Sequence, residues 1–237
     1  MARLITDRWN GAVRIRFNAP ECANALDLST VLELHRVLLE CQDEIVLIGS
    51  TNPRIFSAGA DIKVENDVRK LISDELYGCY RTMITRPCPV IAVVEGTAVG
   101  GGAQLATAAD FRIAGPGARW RWVGPGHGIV VGGWILPTLV GRGRSFDFTL
   151  TSRWVSSEDA VACGLVSCVC NDPWTEAARL VEQLAELDPV AVNRLKQLSL
   201  DGGLLAALDS EREGNRQWDG RAPKSLPFTS STQTGTK

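Results

Sequence analysis

Histidine is scarce in this chain, with two among 237 residues. The seven cysteines contain no C-x-x-C pair, and the closest two are Cys168 and Cys170. Zinc-type ligand sets are hard to build from that inventory, so no metal is expected. An odd cysteine count also fits reduced thiols in a cytoplasmic setting better than a disulfide framework. Dense runs of Lys or Arg are missing and the formal net charge is −2, which argues against nucleic acid or an anionic membrane as the main partner. The opening residues, Met1 to Arg8, lack the apolar core of a signal peptide. The longest apolar stretch, Val90 to Leu105, is broken by Glu95 and by glycines, so no membrane span is expected. Nor is there a G-x-S-x-G elbow for a serine hydrolase.

What is present is an ordinary globular composition, 45% hydrophobic and 22% charged. The length suits one well-buried domain with a short appendage. Ala12 to Phe17 alternates like a strand and turns at Asn18-Ala19-Pro20. A helix follows from Asp27 or Ser29 to about Cys41, with Ser29 as a candidate cap and Val31, Leu32, Leu34, Leu38 and Leu39 as its apolar face. Ile45 to Ile48 is a continuous apolar run, as in a strand buried on both faces. A helix around Val68–Ile84, a strand over Pro89–Val94, a turn over Gly96–Gly101, a helix over Gly102–Ala109 and a strand at Phe111–Ala114 come next. Repeated strand–loop–helix units predict an α/β fold with largely parallel strands. Beyond Ser156 the pattern is mainly helical, over Glu158–Cys163, Pro173–Leu187 and Pro189–Leu200. We therefore expect a core over residues 1–190, a helical C-terminal segment over 191–224 and a polar tail over 225–237.

Two glycine-bearing turns follow buried strands. One is Phe56-Ser57-Ala58-Gly59-Ala60-Asp61-Ile62-Lys63; the other runs from Gly96 through Gly100-Gly101-Gly102-Ala103-Gln104 into a helix. Either alone is explained by close strand–helix packing, and the second fails the G-x-G-x-x-G spacing of a dinucleotide site. Together, and in order with Asn18–Leu26, Pro87–Val93, Ala109–Ala114, Leu139-Val140-Gly141, Ser156–Ala160 and Gly164-Leu165-Val166, they resemble the enoyl-CoA hydratase/isomerase (crotonase) superfamily from about residue 12 to about 200.

The resemblance implies a spiral of β–β–α turns and a cleft for an acyl-CoA thioester, with no bound cofactor beyond the coenzyme A of the ligand. It implies a homotrimer or a dimer of trimers, although the shortened C-terminus departs from the family. Two backbone amides polarise the thioester in that family; by position they would be those of Ala58 and Gly101. A helix N-terminus at Gly101 suits that role, because its free N–H groups and dipole favour an oxyanion. Backbone around Ala60, Asp61 and Ile62 would receive the adenine end of coenzyme A, or Asp61 would cap its own loop.

The family's two hydratase glutamates correspond here to Gln104 and, by alignment, Gly124. No Asp or Glu occurs from Phe111 to Phe146, so no shift in alignment restores the second carboxylate. Hydration needs a base for water and an acid for carbon, each contributing roughly 10²–10⁴ in rate. An amide is no base near neutral pH. An oxyanion-hole donor contributes roughly 10²–10³, so carbonyl polarisation would persist while proton transfer is lost. His127 could serve as a general base or be a plain loop histidine. Trp120 and Trp122, on one side of a strand, could line an acyl tunnel or pack the core. The sequence thus leaves an acyl-CoA binder without chemistry, a crotonase-like enzyme of another reaction (lyase, isomerase or hydrolase), and a weak hydratase with surrogate groups.

Overall fold

The computed structural model describes residues 2–61 and 63–218; Ile62 and the expected polar tail over 225–237 lie outside the described residues. The chain opens with a hairpin, β1 (Leu4–Trp9) against β2 (Ala12–Phe17). It then runs through α1 (Leu28–Glu40), β3 (Val46–Ser50), β4 (Ile55–Ser57), α2 (Asn66–Thr85), β5 (Val90–Val94), β6 (Thr97–Val99), α3 (Gly101–Ala108), β7 (Phe111–Ala114) and β8 (Arg119–Arg121). Next come α4 (Leu136–Val140), α5 (Arg142–Thr151), β9 (Val155–Ser156), α6 (Ser157–Ala162) and β10 (Cys168–Val169). The chain closes with α7 (Pro173–Ala185), α8 (Pro189–Leu200) and α9 (Leu204–Arg216).

Two sheets organise these elements, one in the order β1-β2-β3-β5-β7-β10 and a smaller one in the order β4-β6-β8-β9. Each pass of the chain leaves one strand in the larger sheet and one in the smaller before continuing: β3 then β4, β5 then β6, β7 then β8. Pairing within β2-β3-β5-β7 and within β4-β6-β8 is parallel. That is the β–β–α spiral, and it explains why a turn expected over Gly96–Gly101 contains the short strand β6. The passes touch closely where a Cβ on Gly96 would lie 2.1 Å from the carbonyl of Arg54, so only glycine fits.

The continuous apolar strands are buried on both faces, with side chains alternating between them. Val46, Ile48, Val90, Ala92 and Val94 face α1, α2 and α3, whereas Leu47, Ile91 and Val93 face α7 through Ala177 and Val181. Helix α1 is capped by Asp27, whose Oδ1 accepts from Thr30 N at 2.8 Å. Ser29, the expected cap, instead donates its hydroxyl to Asp27 at 2.9 Å. This is a correction: the carboxylate one residue ahead of the first helical turn has the better reach to its free amides.

The C-terminal segment contains α9, which the pattern of sequence periodicity did not single out. Leu208 of α9 belongs to the main core. On its outer side Arg212 and Arg216 both pair with Asp74 of α2. Lys196 of α8 makes a largely buried ion pair with Asp110.

Candidate functional site

A cleft of about 920 Å³ opens between the loop after β4, the N-terminus of α3, the inner face of α2 and the end of α9. Its walls include Ala58, Gly59, Ala60 and Asp61 on one side and Gly100, Gly101 and Gln104 on the other. Tyr77 and Tyr80 of α2, Asn215 and Trp218 complete the lining, with Arg3, Lys63, Arg69 and Lys70 as its cations.

The local backbone explains why these segments converge. Gly59 has φ +88°, and a Cβ there would lie 2.6 Å from Val99 O and 3.0 Å from Gly101 N. Gly100, with φ +53°, caps α3 so that Gly101 is its first residue. The Gly101 N–H is therefore one of the helix's orphan donors and sits at the positive end of its dipole.

The second amide is not the one expected. Ala58 N–H already donates to Ala23 O at 2.9 Å. The next residues form a parallel bridge between Leu26 and Ala60, in which Leu26 N donates to Gly59 O and Asp61 N to Leu26 O. In an extended segment successive amides point opposite ways, so with Asp61 N–H on Leu26 the Ala60 N–H is turned away from that bridge. It lies 3.5 Å from where a Gly101 Cβ would be. Among the described residues no acceptor is found for the amides of Ala60 or Gly101. The Ala58 amide is thus committed inside the loop, against the expectation that it pairs with Gly101, whereas Ala60 and Gly101 keep free amides beside the cleft.

Asp61 caps its own loop, its Oδ1 accepting from Lys63 N at 2.9 Å. His127 ends a single 3-10 turn, Pro125–His127, on the exposed rim of the cleft. Trp120 and Trp122 are fully buried, and Trp122 stacks on Phe148 with centroids 5.8 Å apart. Neither tryptophan is among the residues that line the cleft, so the structure gives them core packing and not an acyl tunnel. Gly124 is buried, and a Cβ there would lie 2.7 Å from Ile129 O, Val131 N and Val131 Cγ2. No side chain fits at that position.

Gln104 belongs to a polar network that sequence reading missed. Trp134 Nε1 donates to Gln104 Oε1 at 2.8 Å. Tyr77 Oη donates to Glu211 Oε1 at 2.8 Å and accepts from Asn215 Nδ2 at 2.9 Å. Glu211 also accepts from Gly132 N at 3.1 Å and Trp134 N at 2.9 Å. Burial pushes the Glu211 carboxyl above its ordinary range, against the pull of Tyr77 and the amides of residues 132–134. Every one of those partners is a donor, so the pocket fits the carboxylate. Burial, then the Glu211 charge, pushes the Tyr77 phenol far above its ordinary range. Tyr80, also raised by burial, donates to Gly101 O at 3.0 Å and stacks on Trp134. The sequence signal for this network was weak: Glu211 lies in a polar run that reads as a solvated helix face, and it is 134 positions from Tyr77.

Among the described residues no group of three or more His, Cys, Asp or Glu could hold a metal ion, and no helix is long and apolar enough to cross a membrane. Fold and site together define a spiral α/β protein whose cleft is lined by a helix N-terminus and by a loop that carries a second free amide. The family model for enoyl-CoA hydratase/isomerase matches residues 7–231. YngF of Bacillus subtilis, which carries an enoyl-CoA hydratase/isomerase name, is 32% identical over 195 residues, covering 77% of this chain and 75% of that one. The crotonyl-CoA hydratase of Syntrophomonas wolfei is 29% identical, covering 87% and 84%. The crystal structure of an enoyl-CoA hydratase from Bacillus anthracis superposes with a TM-score of 0.80 at 27% identity, covering 90% of each chain. This chain belongs to the enoyl-CoA hydratase/isomerase family.

Proposed function

We propose that the chain binds an acyl-CoA thioester in this cleft, with the thioester oxygen between the amides of Ala60 and Gly101, and that it is not an efficient enoyl-CoA hydratase. The observation that carries the reading is the pair of unpartnered amides at Ala60 and Gly101 that line one cleft. Two such donors, one at a helix N-terminus, suit an oxygen that gains negative charge when a thioester is polarised toward an enolate. The cations Arg3, Lys63, Arg69 and Lys70 line the same cleft and would meet the phosphates of coenzyme A.

The case against hydration rests on proton acceptors. Near the amides, Gln104 Oε1 is taken by Trp134 and the Tyr77 oxygen already accepts from Asn215. Tyr77 gives its own proton to Glu211. These groups hold and orient; an amide oxygen and a phenol that keeps its proton are too weakly basic to take a proton from water. His127 stays on the rim as the ionisable ring with solvent access. Two forms of the reading remain together: a crotonase-family enzyme of another reaction through a stabilised enolate, and an acyl-CoA binder without turnover. Exposed apolar side chains around α8, Leu187, Val190, Leu195 and Leu198, support self-association in a trimer or dimer of trimers.

The test is incubation with short and long acyl-CoAs, saturated, 2-enoyl and malonyl-type, read by mass spectrometry with retained ligand scored on the native protein. A new mass other than gain of water names the reaction, and unchanged bound thioesters leave the binder. Rapid hydration of 2-enoyl-CoA, or no binding at all, would overturn the proposal.

A further inference from the structure

We propose that Cys168 and Cys170 form a thiol–disulfide exchange site, which a low-molecular-weight disulfide such as glutathione disulfide closes into an internal bridge. The pair lies on the larger sheet and takes no part in lining the acyl-CoA cleft.

Strand β10 ends that sheet, and among the described residues β7 is its one partner. Cys168 pairs with Ile113 and Val169 with Ala114, and the Cys170 N–H donates to Ala114 O at 3.0 Å. The backbone through Cys170 is therefore extended, and side chains two apart share a face. Packing agrees with that alternation. Cys168 and Cys170 both rest on the cluster of Ile113, Ala177 and Val181 under α7, whereas Val169 packs against the main core on the other side. Both thiols are free and half-buried.

Reach decides whether the two sulfurs can join. Two steps of an extended strand separate their Cα atoms by about 6.6 Å, and disulfides span roughly 4.4–6.8 Å. A small bend at Val169 brings the pair well inside that range, and sheet edges are where strands bend most readily. Cys163, the next cysteine back along the chain, packs against the main core on the opposite face, and Cys41 and Cys79 are buried. Among the described residues no third ligand joins the pair to hold a metal ion, which leaves exchange as the chemistry open to two neighbouring thiols.

Exchange runs in two steps. One cysteine thiolate attacks a sulfur of glutathione disulfide, forming a mixed disulfide and expelling a glutathione thiolate. The second cysteine, as its thiolate, attacks the protein-side sulfur of that mixed disulfide, and the second glutathione leaves. The two protons of the protein thiols end on the two glutathione thiolates, and the two electrons reduce the glutathione disulfide. Burial, then the charges of Cys170 and Glu176, pushes the Cys168 thiol above its ordinary range; burial, then Glu176, raises Cys170, with Asp172 adding to it. The thiolate fraction is therefore small at neutral pH, and the rate should rise about tenfold per pH unit there.

The test is incubation of the folded full chain with glutathione disulfide, alkylation of the remaining thiols and mass mapping of the tryptic peptide Trp154–Arg179, which also holds Cys163. The expected product has lost two hydrogens shared by Cys168 and Cys170, keeps Cys163 alkylated, retains the native circular dichroism spectrum and reverts with dithiothreitol. Cys170→Ser is expected to stop at a glutathione adduct on Cys168, and Cys163→Ser to form the bridge as the native chain does. Cys168 and Cys170 both alkylated, glutathione adducts persisting on both, a bridge to Cys163, closure only with loss of native structure, or a rate indifferent to pH overturns the proposal.

Discussion

Removing the Glu211 carboxylate should destabilise the fold far more than its place in a polar helix suggests. In Glu211→Ala, the Tyr77 hydroxyl and the amides of Gly132 and Trp134 lose their acceptor. A buried donor left unpaired costs about 1–3 kcal/mol. Three of them set a ceiling near 9 kcal/mol, but water entering the vacated space and relief of the buried charge offset part of it. A net loss of about 4 kcal/mol is expected, a large share of the roughly 5–15 kcal/mol that holds a domain together.

Glu211→Gln separates charge from shape. Its carbonyl oxygen can still accept from Tyr77 and Gly132, but its NH₂ then faces the Trp134 N–H, donor against donor. A loss of about 2 kcal/mol is expected, one unsatisfied pair by the same measure. Urea unfolding followed by tryptophan fluorescence gives the order native, Gln, Ala in midpoint, with the slope unchanged if only the folded state is affected. In a chain of this length a 4 kcal/mol loss lowers the melting temperature by about 8–16 °C. An alanine variant within about 0.5 kcal/mol of the native protein would show that Glu211 is an ordinary surface carboxylate, and the orientation of Trp134 and Gln104 would need another cause.

Three further outcomes follow from the geometry. Gly59→Ala puts a Cβ 2.6 Å from Val99 O at φ +88°, so the loop must shift; acyl-CoA affinity should fall at least tenfold by titration, and unchanged affinity would remove this loop from the thioester site. Gly124→Glu has no room for a side chain and should yield misfolded protein by circular dichroism, whereas Gln104→Glu should fold but gain no efficient hydration of crotonyl-CoA in a spectrophotometric assay. Asp74, held down to about 2 from 3.8 chiefly by hydrogen bonding to Arg212, should add about 1 kcal/mol after discounting for solvent. That stability is present above pH 3.8 and lost as pH falls through about 2, so the gap between native protein and Asp74→Asn in denaturant midpoints should close over that window; a gap that persists at pH 2 contradicts the pairing.

How far the sequence revealed the fold depends on the range over which each signal acts. The apolar runs at Ile45–Ile48 and Pro89–Val94 announced strands, the first of them as one covered on both faces, because burial on two sides leaves no polar alternation to obscure them. The two glycine turns marked where the spiral's passes meet. Ala58 and Ala60 could not be separated by sequence, since they flank the same glycine and differ only in which way their N–H groups point. The Leu26–Ala60 bridge settles that, and it joins residues 34 apart. Tyr77, Trp134, Glu211 and Asn215 were illegible for the same reason: each looks ordinary in its own segment, and only packing of α9 on α2 gives them a common chemistry.

The lack of a side chain at Gly124 and the placement of Glu211 have a physical connection. The turn over residues 129–134 packs so closely on Gly124 that no Cβ fits. Two amides of that turn, at Gly132 and Trp134, donate to Glu211, a charge supplied from the C-terminal helix to hold the turn in place. A glutamate at position 124 would push that turn outward and take Trp134 away from Gln104. The same packing that leaves no room for a side chain at position 124 therefore fixes Trp134 and, through its indole, the Gln104 amide, and the Glu211→Gln variant should lower stability and acyl-CoA affinity together.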